Sequence, residues 1–175
     1  MLFRSLENAP TFAAFNGHLH CLQYLREQGQ GCTWDIWTTV SAAESGNLPC
    51  LQYLKEQGCP WDEQAPTGAA ENGHLHCLQY LREQGCPWDE KASEAAADYG
   101  NLHCLDYLTE QGCPWSITAT AHTICNAEGA VLNNDIDIYM RILFRLVDNK
   151  VPDYEHILDM PLYVEYCNAS SPWLK

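Results

Sequence analysis

The chain has 175 residues, 46% of them apolar, enough for one ordinary domain with its own core and too apolar for a disordered segment. Its 9 Lys and Arg stand against 23 Asp and Glu, a formal net charge of −14, which disfavours nucleic acid and anionic membrane surfaces because both are bound mainly through cations. No apolar run reaches the roughly 18 residues of a membrane-spanning helix, and Glu7 and Pro10 interrupt any signal-peptide core behind Arg4; a soluble, cytoplasmic protein with neutral or basic protein partners is expected.

From Ala9 onward the chain repeats itself. Residues 17–29 read GHLHCLQYLREQG, residues 46–58 GNLPCLQYLKEQG, residues 73–85 the first block again, and residues 100–112 GNLHCLDYLTEQG. The first glycines are 29, 27 and 27 residues apart, the two extra residues lying at Gln30 and Gly31. Periodicity of this length indicates stacked supersecondary units. In the third block Leu75, Cys77, Leu78, Tyr80 and Leu81 cover a broad helical arc, while His76, Gln79, Arg82 and Glu83 share the other side. The block is therefore a helix (helix B) with one solvated stripe. Gly85 suits its left-handed terminus. Asn47 and Asn101 stand at the N-cap, and Pro49 fits the first turn.

A shorter helix A precedes each block, at residues 66–72 and, by the repeat, at 39–45 and 93–99. Its paired alanines (Ala42/Ala43, Ala69/Ala70, Ala96/Ala97) permit close helix approach, and Pro10 and Pro66 limit it to about two turns. Cys-Pro-Trp-Asp at residues 59–62 and 86–89 separates the units, with tryptophan as an apolar plug between layers. One hairpin cannot bury its own faces, but a stack can. The expected fold is all-α: an α-solenoid of helix–turn–helix units at 9–34, 35–61, 62–88 and 89–115.

These motifs resemble the ankyrin repeat. Residues 69–74 (Ala-Ala-Glu-Asn-Gly-His) take the family's A-A-x-x-G-H pattern, residues 75–81 its second helix, and Gly85-Cys86 its Gly-Ala loop. An ordinary ankyrin unit has 33 residues, and the six missing here fall where the family carries its projecting β-hairpin finger. With the recurring Gly-Cys-Pro-Trp-Asp, the array resembles compact ones of large DNA viruses and some protists. The resemblance implies a non-catalytic protein-interaction scaffold needing no cofactor, in the host cytoplasm if viral. It also suggests ubiquitin-ligase components as partners, since such arrays often follow an F-box, although no such segment fits before Ala9. Without fingers, the exposed face of helix A becomes the expected binding surface.

Other motifs have plainer readings. Cys21, Cys50, Cys77 and Cys104 form one column and Cys32, Cys59, Cys86 and Cys113 another. Stacked helices lie roughly 8–10 Å apart, too far for the Cα separation of about 7 Å that a disulfide tolerates, so packing explains the columns better than a thiol- or metal-based sensor. His18, His20 and Cys21 or His74, His76 and Cys77 look like ligands, but the second unit replaces the histidines with Asn47 and Pro49. Asp62-Glu63 and Asp89-Glu90 suit the N-terminal end of helix A better than acid–base chemistry, and no nucleophile–base motif points to an enzyme.

Helix B barely varies between units, whereas helix A varies freely. Phe12 and Phe15 face Gly68 and Glu71 of the otherwise identical third unit. A partner-binding surface varies this way, and so does an unconstrained one. The candidate contact residues are Trp37, Val40, Thr67, Lys91, Glu94 and Tyr99, with Phe12 and Phe15 as a hot spot at one end unless Met1, Leu2, Phe3 and Leu6 cap them. Beyond Trp115, residues 116–175 are expected to form a stretched fifth unit and a terminal cap. Its helices are placed at 117–128 and 134–148; Asp137, Arg141 and Arg145 have i,i+4 spacing, and Tyr154, Tyr163, Tyr166 and Trp173 close the stack or bind a ligand.

Overall fold

The computed structural model describes residues 8–28, 34–116, 119, 120, 123, 136–148, 150, 154–159 and 161. Eight helices alternate along the repeats: α1 (Ala9–Phe15), α2 (Leu19–Gln28), α3 (Ile36–Glu44), α4 (Leu48–Glu56), α5 (Gln64–Glu71), α6 (Leu75–Glu83), α7 (Glu90–Asp98) and α8 (Leu102–Glu110). Two more, α9 (Ile136–Asp148) and α10 (Tyr154–Leu158), follow. Among the described residues there is no strand, and the chain passes from α4 to α5 through residues 57–63 with no hairpin finger. The fold is an all-α repeat solenoid.

The odd-numbered helices α1, α3, α5 and α7 are the A helices. α5 begins two residues before Pro66, where the sequence reading starts it, and α3 and α7 begin three residues before the starts read from the repeat. Pro66 is the third residue of α5, not its boundary, because the first four N–H groups of a helix have no intrahelical acceptor and a proline there loses nothing. Aspartates mark the true starts: Asp35 accepts from the Thr38 N–H at 3.1 Å, Asp62 from Gln64 at 3.0 Å and Asp89 from Lys91 at 3.1 Å.

The A helices turn into the B helices at glycines with φ near +70°, such as Gly46 and Gly73, a conformation that costs a side chain about 1–2 kcal/mol. The next residue does not cap its own helix. The Asn47 amide instead donates back to the carbonyls of Ala14 and Phe15 at 3.2 and 2.8 Å, and that of Asn101 to Ala70 and Glu71 at 2.9 and 2.6 Å. Each thus satisfies the open C-terminus of the preceding A helix. His74 holds the equivalent place, its imidazole against Gly46.

The core follows the repeat. Ala42/Ala43, Ala69/Ala70 and Ala96/Ala97 are buried between neighbouring A helices, and Leu51/Leu54, Leu78/Leu81 and Leu105/Leu108 are buried between the A and B layers. Each such leucine contributes about 1.5–3 kcal/mol through burial. Alanines let the A helices approach more closely than the leucine- and tyrosine-bearing B helices, which tightens the stack on the A side.

Six of the seven described column cysteines belong to this packing, and Cys32 lies outside the described residues. Cys50, Cys77, Cys104, Cys59, Cys86 and Cys113 are buried and unpaired, whereas Cys21, in the first unit, is exposed. Each loop thiol donates back to the start of its own unit: Cys59 to the Asp35 carbonyl and Cys86 to that of Asp62, both at 3.3 Å, and Cys113 to that of Asp89 at 3.4 Å.

The tryptophans pack against the core but are only partly enclosed. Trp34, Trp61 and Trp88 are half-buried on the outside of the loops, each covered by a cation of its own unit: Arg26 at 5.2 Å, Lys55 at 3.5 Å and Arg82 at 4.2 Å from the ring centre. Trp34 and Trp88 also meet Tyr53 and Tyr107 of the next unit edge-on. In α9, buried Met140, Ile142, Leu143 and Leu146 close on α8, and Arg141 pairs with Asp106 at 2.7 Å. The side chains of Asp137, Arg145 and Tyr154, with most of residues 117–128 and Tyr163, Tyr166 and Trp173, lie outside the described residues.

Candidate functional site

The positions i, i+4 and i+7 of each A helix fall within about 60° of one another at 100° per residue and so share one side of the helix. In α3 these positions are Trp37, Ser41 and Glu44, in α5 Gln64, Gly68 and Glu71, and in α7 Lys91, Ala95 and Asp98, of which Gly68 and Ala95 are buried. Phe12 and Phe15 hold the last two places in α1. The four helices therefore present three rows crossing the stack. Small residues (Ser41, Gly68, Ala95) form the middle row and carboxylates (Glu44, Glu71, Asp98) one rim.

The structure brings three of the sequence-derived contact residues together. Phe12 is 71% exposed, Phe15 52% and Trp37 53%, and with Thr11, Asp35 and Ser41 they line a depression of about 470 Å³ between α1 and α3. A larger depression of about 740 Å³ lies on the other side of Phe12, over Ala13, Cys21, Tyr24 and Leu25 at the end of the stack.

Val40 does not join them. It is 3% exposed, because three residues on from Trp37 the helix has turned it about 60° from that side chain, away from the side on which Thr38 meets Thr11 of α1. Thr67, in the same column, is half-buried and gives its hydroxyl to the Glu63 carbonyl at 2.8 Å. Glu94 is half-buried too and accepts from Ser116. Lys91 and Tyr99 are exposed, on the far side of the stack from the aromatic trio, with Lys91 held 3.7 Å from Asp89.

The carboxylate row is the feature that choosing residues singly overlooks. Glu44 lies across Gly68 of the next helix, where a Cβ would stand 2.5 Å from its Cγ. Partial burial, and then the charge of Glu71, push the Glu44 carboxyl above the usual carboxylate range. Tyr99 donates its hydroxyl to Glu71, which raises its own ionisation. The signal was present in the column Phe15, Glu44, Glu71, Asp98, one acid per unit after the first.

Among the described residues no His, Cys, Asp or Glu side chains converge as a metal site, and no helix is long and apolar enough to cross a membrane. Burial pushes the Cys77 and Cys104 thiols up to about 11; burial, with the Asp62 and Asp89 charges next in importance, pushes Cys86 and Cys113 up to about 12. All four are protonated and unreactive near neutral pH.

Comparison with protein families matches residues 39–121 to the description "Ankyrin repeats (3 copies)". That segment, a little under half of the chain, is similar to ankyrin repeats. A search of curated proteins returns no match. Ankyrin repeats are a non-enzymatic module that mediates protein–protein interaction, and the match spans α3 to α8, which carry the carboxylate row.

Proposed function

We propose that the chain is a non-catalytic scaffold that binds a partner protein through its helix-A face. The observation carrying this reading is the exposed cluster of Phe12, Phe15 and Trp37 beside a depression. Grouped exposed aromatics are costly in water and suit the centre of an interface. The compact 27-residue unit supports the choice of face, since residues 57–63 leave no finger to bind through. In this reading α9 and α10 close the other end of the stack. Seven described thiols without disulfides suit a reducing compartment such as the cytoplasm. The ubiquitin-ligase reading and the likeness to viral arrays rest on the loop motif alone and gain nothing from the fold.

The test is capture of partners from cell lysate by three proteins: wild type, a Phe12→Ala, Phe15→Ala, Trp37→Ala variant, and a control altered on the helix-B face (Gln52→Ala, His76→Ala). Capture should survive in the control and be lost in the aromatic variant, with circular dichroism showing both folded. Equal capture by all three would remove the helix-A face as the binding surface.

A further inference from the structure

We infer that the depression beside Phe12, Phe15 and Trp37 is a docking site for an arginine side chain of the partner; this rests on the helix-A reading above and names the group that the aromatic cluster receives. The three aromatics share a space of about 470 Å³ with Asp35 and with the hydroxyl-bearing Thr11 and Ser41, and among the described residues no cation lines it. Asp35 is exposed, and both of its hydrogen bonds, from the Thr38 N–H and hydroxyl, go to Oδ1. Its full negative charge exceeds the roughly half positive charge of the α3 N-terminus beside it. The depression is therefore net negative, with aromatic rings on its walls.

The chain makes the same pairing internally. Trp34, Trp61 and Trp88 each hold a cation between 3.5 and 5.2 Å from the ring centre. Among the described residues no cation lies over Trp37: Arg26, Lys55 and Arg82 cover those three rings, Lys91 lies by Asp89 and Arg141 by Asp106. A partner's cation gives Trp37 what the other rings take from their own units. Arginine suits the place better than lysine, because its guanidinium is planar and weakly hydrated and stacks on a ring while its N–H groups reach a carboxylate. A purely apolar side chain strips water from Asp35 without replacing its hydrogen bonds, and a phosphate or carboxylate meets it with like charge.

The experiment is proton NMR of three small probes titrated with the full chain: Nα-acetyl-arginine amide, the Nα-acetyl-lysine amide, and Nα-acetyl-citrulline amide, which has the shape of the arginine probe without its charge. Aromatic rings shift protons above their faces upfield, so the δ-methylene signal of the arginine probe should move upfield, saturate, and weaken as salt rises. Citrulline should bind about fivefold more weakly, the effect of a cation on an exposed ring, and lysine more weakly than arginine; this comparison needs no variant. Trp37→Leu keeps an apolar side chain and should abolish the upfield shift. Asp35→Asn keeps an oxygen to cap α3 and should weaken arginine about threefold, with the circular dichroism of both variants unchanged. Citrulline or lysine bound as tightly as arginine, or an arginine shift that survives Trp37→Leu, overturns the proposal. If lysate capture is lost with the aromatic variant while arginine and citrulline bind alike, the helix-A surface stands and the arginine falls. Capture that survives the aromatic variant overturns the helix-A reading itself, whatever the probes do.

Discussion

At the residue scale, the unit-to-unit contacts put two separate demands on the glycine that ends each A helix. Gly73 has φ +74°, and a Cβ added there would lie 2.7 Å from the Asn101 Oδ1. Asn101 cannot give way without releasing the Ala70 and Glu71 carbonyls that it binds. Gly85, ending α6, has φ +75° but open space around it. The pair separates backbone strain from steric conflict. Gly85→Ala should cost about 1–2 kcal/mol from φ alone, and Gly73→Ala about 1–3 kcal/mol more from the forced contact, both read from denaturant unfolding. Equal losses would mean that the asparagine bridge moves freely and does not lock the units.

At the scale of elements, the sequence showed the B helices well because glycines bracket them and their apolar arc is broad. It misplaced the A-helix starts because a proline reads as a boundary even where its missing N–H costs nothing. Asn47 and Asn101 do stand at the N-cap, but their amides bind the preceding unit instead of their own helix, because the N-cap position and the position that reaches back are the same residue. Val40 was misassigned because variation between units marks a position as changeable without telling a buried one from an exposed one. The thiol columns were legible as packing from their phase, except at Cys21, which lies at the edge of the stack. Their chemistry gives an alkaline signature. The folded-state values of about 12 for Cys86 and Cys113 lie above the ordinary thiol value of 9.0. Below pH 9 folded and unfolded thiols are equally protonated and the native state loses nothing; above it the unfolded chain ionises first, so stability falls from about pH 9 to about pH 12. Cys86→Val with Cys113→Val should flatten that decline in urea midpoints. A thiol reagent at neutral pH should label Cys21 fast and the six buried cysteines slowly, and rapid labelling of Cys86 would contradict its assignment as a core residue.

At the scale of the molecule, a 27-residue step does two things. It leaves no room for the finger, and it repeats one loop arrangement in which three of the nine cations cover tryptophans. Stability in such a stack is close to a sum of unit and interface contributions. Each unit's protection therefore depends on how many neighbours cover it. The middle helices α4 and α6 are covered on both sides, with Cys50, Leu51, Leu54, Cys77, Leu78 and Leu81 buried. In α2 only Leu22 is buried; Cys21 is exposed, and Tyr24, whose counterparts Tyr53, Tyr80 and Tyr107 are half-buried, is 61% exposed. Local opening should accordingly be most frequent at the first unit and rarest in the middle. Hydrogen exchange followed by mass spectrometry should find the amides of α4 and α6 the slowest in the chain and those of α2 exchanging at least tenfold faster, about 1.4 kcal/mol less protected. Amides of α2 as slow as those of α6 would show that the first unit is covered in solution, and the exposed aromatics at that end would then be part of a closed core, not a surface offered to a partner.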